Sequence, residues 1–195
     1  MTLPVPQQRK HLHTRSVSFR GYAREDGLWD IEAEMKDVPA YAQNTAERGT
    51  LPPHTAVHDM TIRVTLDDNL TIREISSAMS SSPFAECPRA VDPMQNMVGA
   101  TMGSGWRLAV ENALGGTRGC AHLRELLFNM ATAAHQSILT YRAQNAPAGL
   151  PPAMDGMPPA HLGKCMSWDL DGPVVKRYYP LFSGWRPTKN KAGNV

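Results

Sequence analysis

Cysteine is scarce in this chain of 195 residues, and the three present, Cys87, Cys120 and Cys165, are odd in number and widely spread. A dense, even set marks the small secreted disulfide scaffold, so that class is excluded and the reduced thiols of a cytoplasmic protein are expected. Charge of one sign is lacking too. Lys and Arg total 20 against 18 Asp and Glu, a net +2, too weak a field to make nucleic acid or an anionic membrane the main partner. No stretch approaches the roughly 18 to 20 apolar residues of a membrane span, and the basic start, residues 1–15, has no apolar run behind it of the kind a secretory signal carries. What is there is a composition 42% hydrophobic and 19% charged, enough apolar material for a core and too little charge for disorder. The length fits one domain on a prior of roughly 100 to 200 residues. It is expected over residues 1–182, with a polar tail at 183–195.

Alternation organises the first half. Val17, Phe19 and Gly21 alternate with polar neighbours over 16–24, and Glu25-Asp26-Gly27 offers a turn. Trp29, Ile31, Ala33 and Met35 then face one way and Asp30, Glu32 and Glu34 the other, the pattern of a hairpin with one wet face. From Asp37 to Thr55 the alternation stops, and Gly49, Pro52 and Pro53 mark a loop. A second hairpin follows: Met60, Ile62, Val64 and Leu66 alternate with Thr61, Arg63 and Thr65, Asp67-Asp68-Asn69 turns the chain, and Leu70–Ala78 returns.

Beyond Ser80–Ser82 and Pro83 the period becomes helical. A short helix is expected over 91–98 and a second from Gly105-Trp106 to Leu114, stopped by Gly115-Gly116. The strongest runs from about Ala121 to Arg142, where Leu123, Leu126, Leu127, Met130, Ala134 and Ile138 form one apolar stripe. His135 lies beside that stripe and reads as structural. Residues 145–163 hold Pro147, Pro151, Pro152, Pro158 and Pro159, an extended linker, and a last strand is expected around Val174–Tyr179. Strands before helices make an α+β fold: an antiparallel sheet of two hairpins, about four strands, covered on one face by two or three helices, with a C-terminal extension.

Chemistry concentrates where the elements begin. His58 stands at the entrance of the best strand, in phase with Met60, Ile62 and Val64, and so faces the core side at the rim of the sheet. A histidine there has a plain use too, closing a core with one ring nitrogen hydrogen-bonded. Cys87-Pro88 lies where no periodicity accounts for a cysteine, although a free cysteine is often only a small buried hydrophobe. Gly119-Cys120-Ala121-His122 opens the longest helix. Residues two apart on a regular helix point about 200° apart, but in a first turn entered through a left-handed Gly119 both side chains can aim at one point. The helix N-terminus also favours an anionic Cys120. Imidazole, carboxylate and thiolate are the donors of Zn²⁺ or an iron–sulfur cluster, so the expected ligand set is His58, Asp59, Cys87, Cys120 and His122. Asp59, if not a ligand, is the nearest general base, and Cys120 the nucleophile. Cys165 is left out of the set. His11, His13, His54 and His161 fall in expected loops and suggest nothing. Gly115-Gly116-Thr117-Arg118-Gly119 lacks the Lys-Ser/Thr ending of a phosphate loop and reads as a turn between helices.

The strings HDM at 58–60, GSGW at 103–106, GCAHLRELLFNMATAAHQ at 119–136 and RGYAREDGLWDIEAEM at 20–35 resemble the bacterial domain of unknown function 2889 family over most of residues 12–182, a likeness that implies no activity. More remotely, residues 58–142 resemble the NifU-like iron–sulfur scaffold proteins. That likeness implies a metal-ligating residue before a hairpin, at His58 and Asp59, a Cys after it, at Cys87, and a ligand pair opening the last long helix, at Cys120 and His122. This chain has His where those proteins have Cys at the first position and Cys-x-His where they have an adjacent pair.

Three functions compete. The first is a zinc-dependent hydrolase or lyase acting on a small-molecule substrate. The second is an iron–sulfur or persulfide carrier whose partner is another protein, with iron or a cluster in place of zinc. The third is a metal-free enzyme with Cys120 as nucleophile. Self-association as a homo-oligomer is compatible with each.

Overall fold

In a computed structural model describing residues 3–145, 157–159 and 161–186, the two alternating stretches pair as one four-stranded antiparallel sheet. Strands β1 (His13–Ala23), β2 (Trp29–Pro39), β5 (His58–Leu66) and β6 (Ile72–Ser81) lie in the order β1-β2-β5-β6. Between β2 and β5, where a loop is expected, β3 (Gln43–Thr45) and β4 (Gly49–Leu51) form a small hairpin of their own. The expected boundary at Met35 is also corrected. β2 runs on to Pro39, because Asp37 and Pro39 keep the two-residue phase of Ile31, Ala33 and Met35 and are likewise buried.

Helices cover the face carrying that apolar phase. Two 3₁₀ turns, Cys87–Ala90 and Asp92–Met97, lead to α1 (Trp106–Leu114), and α2 (Ala121–Ala134) continues through a π-helical segment, His135–Leu139, into α3 (Thr140–Asn145). Ile31, Met35, Met60, Ile62 and Leu66 from the sheet meet Met94, Met97, Val110, Leu123, Leu127 and Met130 from the helical side, all fully buried. Each such side chain contributes about 1.5–3 kcal/mol of apolar burial. Two polar ties join the helical elements to one another: Trp106 donates its indole N–H to the Leu127 carbonyl at 2.9 Å, and the His135 ring nitrogen Nε2 bonds the Met102 carbonyl at 2.9 Å, the structural role expected for this histidine. Gly21 on β1 has no side chain because a Cβ there would collide with Ser137 of the π-helical segment. The opposite face of the sheet stays wet, with Glu32 paired to Arg63 and Glu34 to Arg20.

The chain forms two compact units, Met1–Asn145 and Ala146–Val195. The apolar stripe of the long helix ends at Ile138, and later apolar residues bury one another instead. In the second unit Leu162, Val175 and Phe182 form a small core flanked by Trp168, Leu170, Tyr179 and Trp185. The strand expected around Val174–Tyr179 is a helix, α4 (Pro173–Tyr178), since Pro173 follows Gly172 in the first helical turn, where its missing N–H costs nothing. Of the linker prolines, Pro158 and Pro159 fall within the described residues and Pro147, Pro151 and Pro152 outside them, as do residues 187–195 of the tail.

Candidate functional site

One row of side chains crosses the sheet at the rim where both apolar phases turn polar. The register sets Arg15 of β1 opposite Asp37 of β2, and Asp37 opposite His58 of β5. All three lie on the helix-covered face. Asp37 is the continuation of Ile31–Ala33–Met35, and His58 stands one step before Met60. A carboxylate only 2% exposed, as Asp37 is, must find partners or lose its charge.

Asp37 finds four. Arg15 donates Nε to Oδ1 and Nη2 to Oδ2, each at 2.8 Å, His13 bonds Oδ1 through Nε2 at 3.0 Å, and His58 bonds Oδ2 through Nδ1 at 3.1 Å. Burial pushes the carboxyl pKa up, but the hydrogen bonds from Arg15 and His13 outweigh it and hold Asp37 well below the usual carboxylate range. An ionised carboxylate only accepts, so both rings must donate to it. That fixes the His58 tautomer with the proton on Nδ1 and leaves Nε2 as the nitrogen with a lone pair to offer. Burial first, then neighbouring His122, push the His58 pKa down, which keeps the ring in the neutral form a metal requires.

His122 arrives from above. It sits in the first turn of α2, and its ring centroid lies 4.2 Å from that of His58. One turn on, Glu125 accepts a hydrogen bond from Arg15 Nη1 at 3.1 Å, tying the helix to the same row. Cys120, the residue that opens α2, makes no side-chain cap; its Sγ lies 3.8 Å from His122 Nδ1. Cys120 thus stands beside His122 but outside the group that His122 forms with Asp37 and His58, and the entry to α2 is not built as expected. Gly119 is extended, with φ −156°, and the left-handed residue is Gly116, φ +61°. Gly119 is needed for space: a Cβ there would stand 2.8 Å from the Leu114 carbonyl oxygen.

Among the described residues, Asp37, His58 and His122 offer donor atoms all within 4.8 Å of one another, a group able to hold a metal ion. The Asp37 oxygens are already occupied by Arg15, so a cation bound directly to them would press against a guanidinium. The donors with capacity left are the two imidazoles, and Asp37 serves as the carboxylate behind His58.

The other expected residues fall elsewhere. Asp59 is corrected: it points to the opposite face of β5 from His58 and is held by Lys36 at 3.0 Å, because neighbours in a strand face opposite ways. It is placed neither as ligand nor as base beside His58. Cys87, half-buried, lies outside the Asp37–His58–His122 group and lines an open cleft of about 600 Å³ that Cys120 also lines. Cys165 is a free, exposed thiol in the second unit. His13, read as uninformative, holds the central carboxylate.

The profile of a family described as protein of unknown function, DUF2889, matches residues 13–136. The chain belongs to the DUF2889 family. The match runs from the first residue of β1 into the π-helical segment, and so contains every residue of this rim. No curated protein and no solved structure matches the chain. Among the described residues of this DUF2889 protein, no helix is long and apolar enough to cross a membrane.

Proposed function

We propose that this DUF2889 protein is a zinc-dependent enzyme acting on a small organic substrate, with zinc held by His58, His122 and Cys120. The observation that carries the reading is the meeting of two imidazoles, one of them oriented by a buried, fully bonded carboxylate. The thiol distance supports it. Two tetrahedral zinc ligands with bonds of about 2.3 Å to sulfur and 2.0–2.1 Å to nitrogen lie about 3.6 Å apart, close to the 3.8 Å between Cys120 Sγ and His122 Nδ1. Three protein ligands leave one position for substrate or water, the arrangement of catalytic rather than structural zinc. When bound, the ion supplies Lewis-acid polarisation of a carbonyl or activation of water, the chemistry of hydrolases and lyases.

The protein's own part is to keep the donors ready. Asp37 holds the Nδ1 proton of His58, Arg15 and His13 keep Asp37 anionic, and Glu125 with Arg15 anchors the helix bearing His122. A mixed imidazole and thiolate set favours zinc over an iron–sulfur cluster, which prefers thiolates throughout; the scaffold reading, with a protein partner, therefore ranks lower. The free thiols support a reducing, cytoplasmic setting.

One observation favours a second reading. A thiol beside an imidazole at a helix N-terminus is also the arrangement of a metal-free cysteine nucleophile. Elemental analysis after chelator treatment and zinc reloading separates the two. The zinc reading expects about one ion per chain, lost in His58→Ala and His122→Ala and kept in Cys165→Ala. A folded wild-type protein that takes up no zinc would overturn it and leave the thiol reading.

A further inference from the structure

The cleft that Cys120 shares with Cys87 has a use beyond the metal donors. Its volume is about 600 Å³, and its lining includes Phe84, Glu86, Cys87, Arg89, Arg118 and Cys120. It lies between the 3₁₀ turn Cys87–Ala90 and the loop that enters α2. Arg118 is held by an Nη2 hydrogen bond to the Glu111 carbonyl at 2.9 Å, which fixes its guanidinium and leaves donors to spare. Arg89 makes no ion pair among the described residues. Against these two cations stands one carboxylate, Glu86. Thus the lining is net positive beside the uncapped N-terminus of a 14-residue helix, with Phe84 and neighbouring Ala90 and Pro93 as apolar wall.

We infer that this cleft binds a small carboxylate with an apolar body. The planar fork of an arginine matches a carboxylate with two parallel hydrogen bonds, and the N-terminus of α2, whose cap residue Cys120 lines the cleft, adds partial positive charge. Cys120 lines the cleft and its Sγ lies 3.8 Å from His122 Nδ1, so the cleft and the imidazole pair adjoin at this one cysteine. The further statement that this carboxylate is the substrate rests on the zinc reading; the binding of the anion does not.

Alkylation of the cysteines tests the inference on the full chain. Iodoacetate and iodoacetamide react alike: a sulfur–carbon bond forms, iodide leaves and the thiol proton goes to the buffer. The two reagents differ in the carboxylate. Rates at each cysteine are read by mass spectrometry, and the iodoacetate-to-iodoacetamide ratio at exposed Cys165 serves as the internal reference. At Cys87 and Cys120 of the chelator-treated protein the ratio should exceed that reference about tenfold, the lower end of electrostatic focusing in a charged cleft. Arg89→Gln and Arg118→Gln should each lower it, and benzoate, but not benzamide, should slow both cysteines. Equal ratios at all three cysteines, or raised ratios unmoved by both arginine variants in folded protein, would overturn the proposal. Because Cys87 reports on the cleft without zinc, a failure to bind metal and a failure to bind anions register separately.

Discussion

Two carboxylates of β2 each face an arginine on a neighbouring strand, and they illustrate how differently one pairing can act. Glu32 meets Arg63 of β5 on the open face at 2.6 Å, and Asp37 meets Arg15 of β1 on the covered face at 2.8 Å. The side chain of Glu32 is 24% exposed and that of Asp37 3%. Water competes for the first pair, whose geometry is then worth about 0–1 kcal/mol. The second carboxylate has exchanged water for four donors, and each of those donors is placed by it. Strand phase alone separates the two cases: odd positions from Ile31 to Asp37 turn inward, and even positions such as Glu32 turn outward.

The sharpest way to break the contrast is Asp37→Ala. It strips Arg15, His13 and His58 of their common acceptor, and an unfolding free energy lower by about 3 kcal/mol is expected, at the lower end for a broken buried pair because Arg15 can rehydrate. Urea denaturation measures it; a loss no greater than that of Glu32→Ala would erase the distinction. Next in size is Gly119→Val, which forces a branched side chain against the Leu114 carbonyl and should cost about 1–3 kcal/mol, with zinc affinity falling as Cys120 and His122 are turned apart. Normal zinc binding in that variant would show that the entry to α2 does not aim the pair.

Asp37→Asn sharpens the comparison without emptying the site. The amide keeps the size but not the charge, so zinc affinity should fall about 10- to 100-fold by competition with a chelating dye, the usual effect of losing the group behind a ligating histidine. Unchanged affinity would mean that His58 needs no carboxylate. His135→Ala, which loses only the bond to the Met102 carbonyl, should cost about 1 kcal/mol and leave zinc content untouched; lost zinc would place the centre elsewhere on the helix. Smallest of all, Glu32→Ala should change stability by about 0.5 kcal/mol or less, and a larger loss would show that the wet face contributes more than an exposed pair can.

Much of this molecule is legible in one dimension. The alternation from Trp29 to Met35 and from Met60 to Leu66 names the buried face of the sheet, and the stripe Leu123–Leu127–Met130–Ala134 names the buried face of the long helix, because both periods are local consequences of backbone geometry. His58, Cys120 and His122 were visible as chemistry at the ends of elements. Asp37 was hidden because an aspartate followed by Pro39 reads as a loop. Its one signal is its place two residues past Met35 in an otherwise apolar phase. Asp59 is the neighbour of His58 in sequence, but adjacency in a strand means opposite faces.

The sequence by itself determined the α+β class, the apolar faces and the rim position of His58, since each depends on residues a few positions apart. Only the tertiary structure decided that Arg15, Asp37 and His58 form one row and that α2 lowers His122 onto it. Those contacts depend on strand register and on helix docking, which join distant parts of the chain through hydrogen bonds and packing that no local period records.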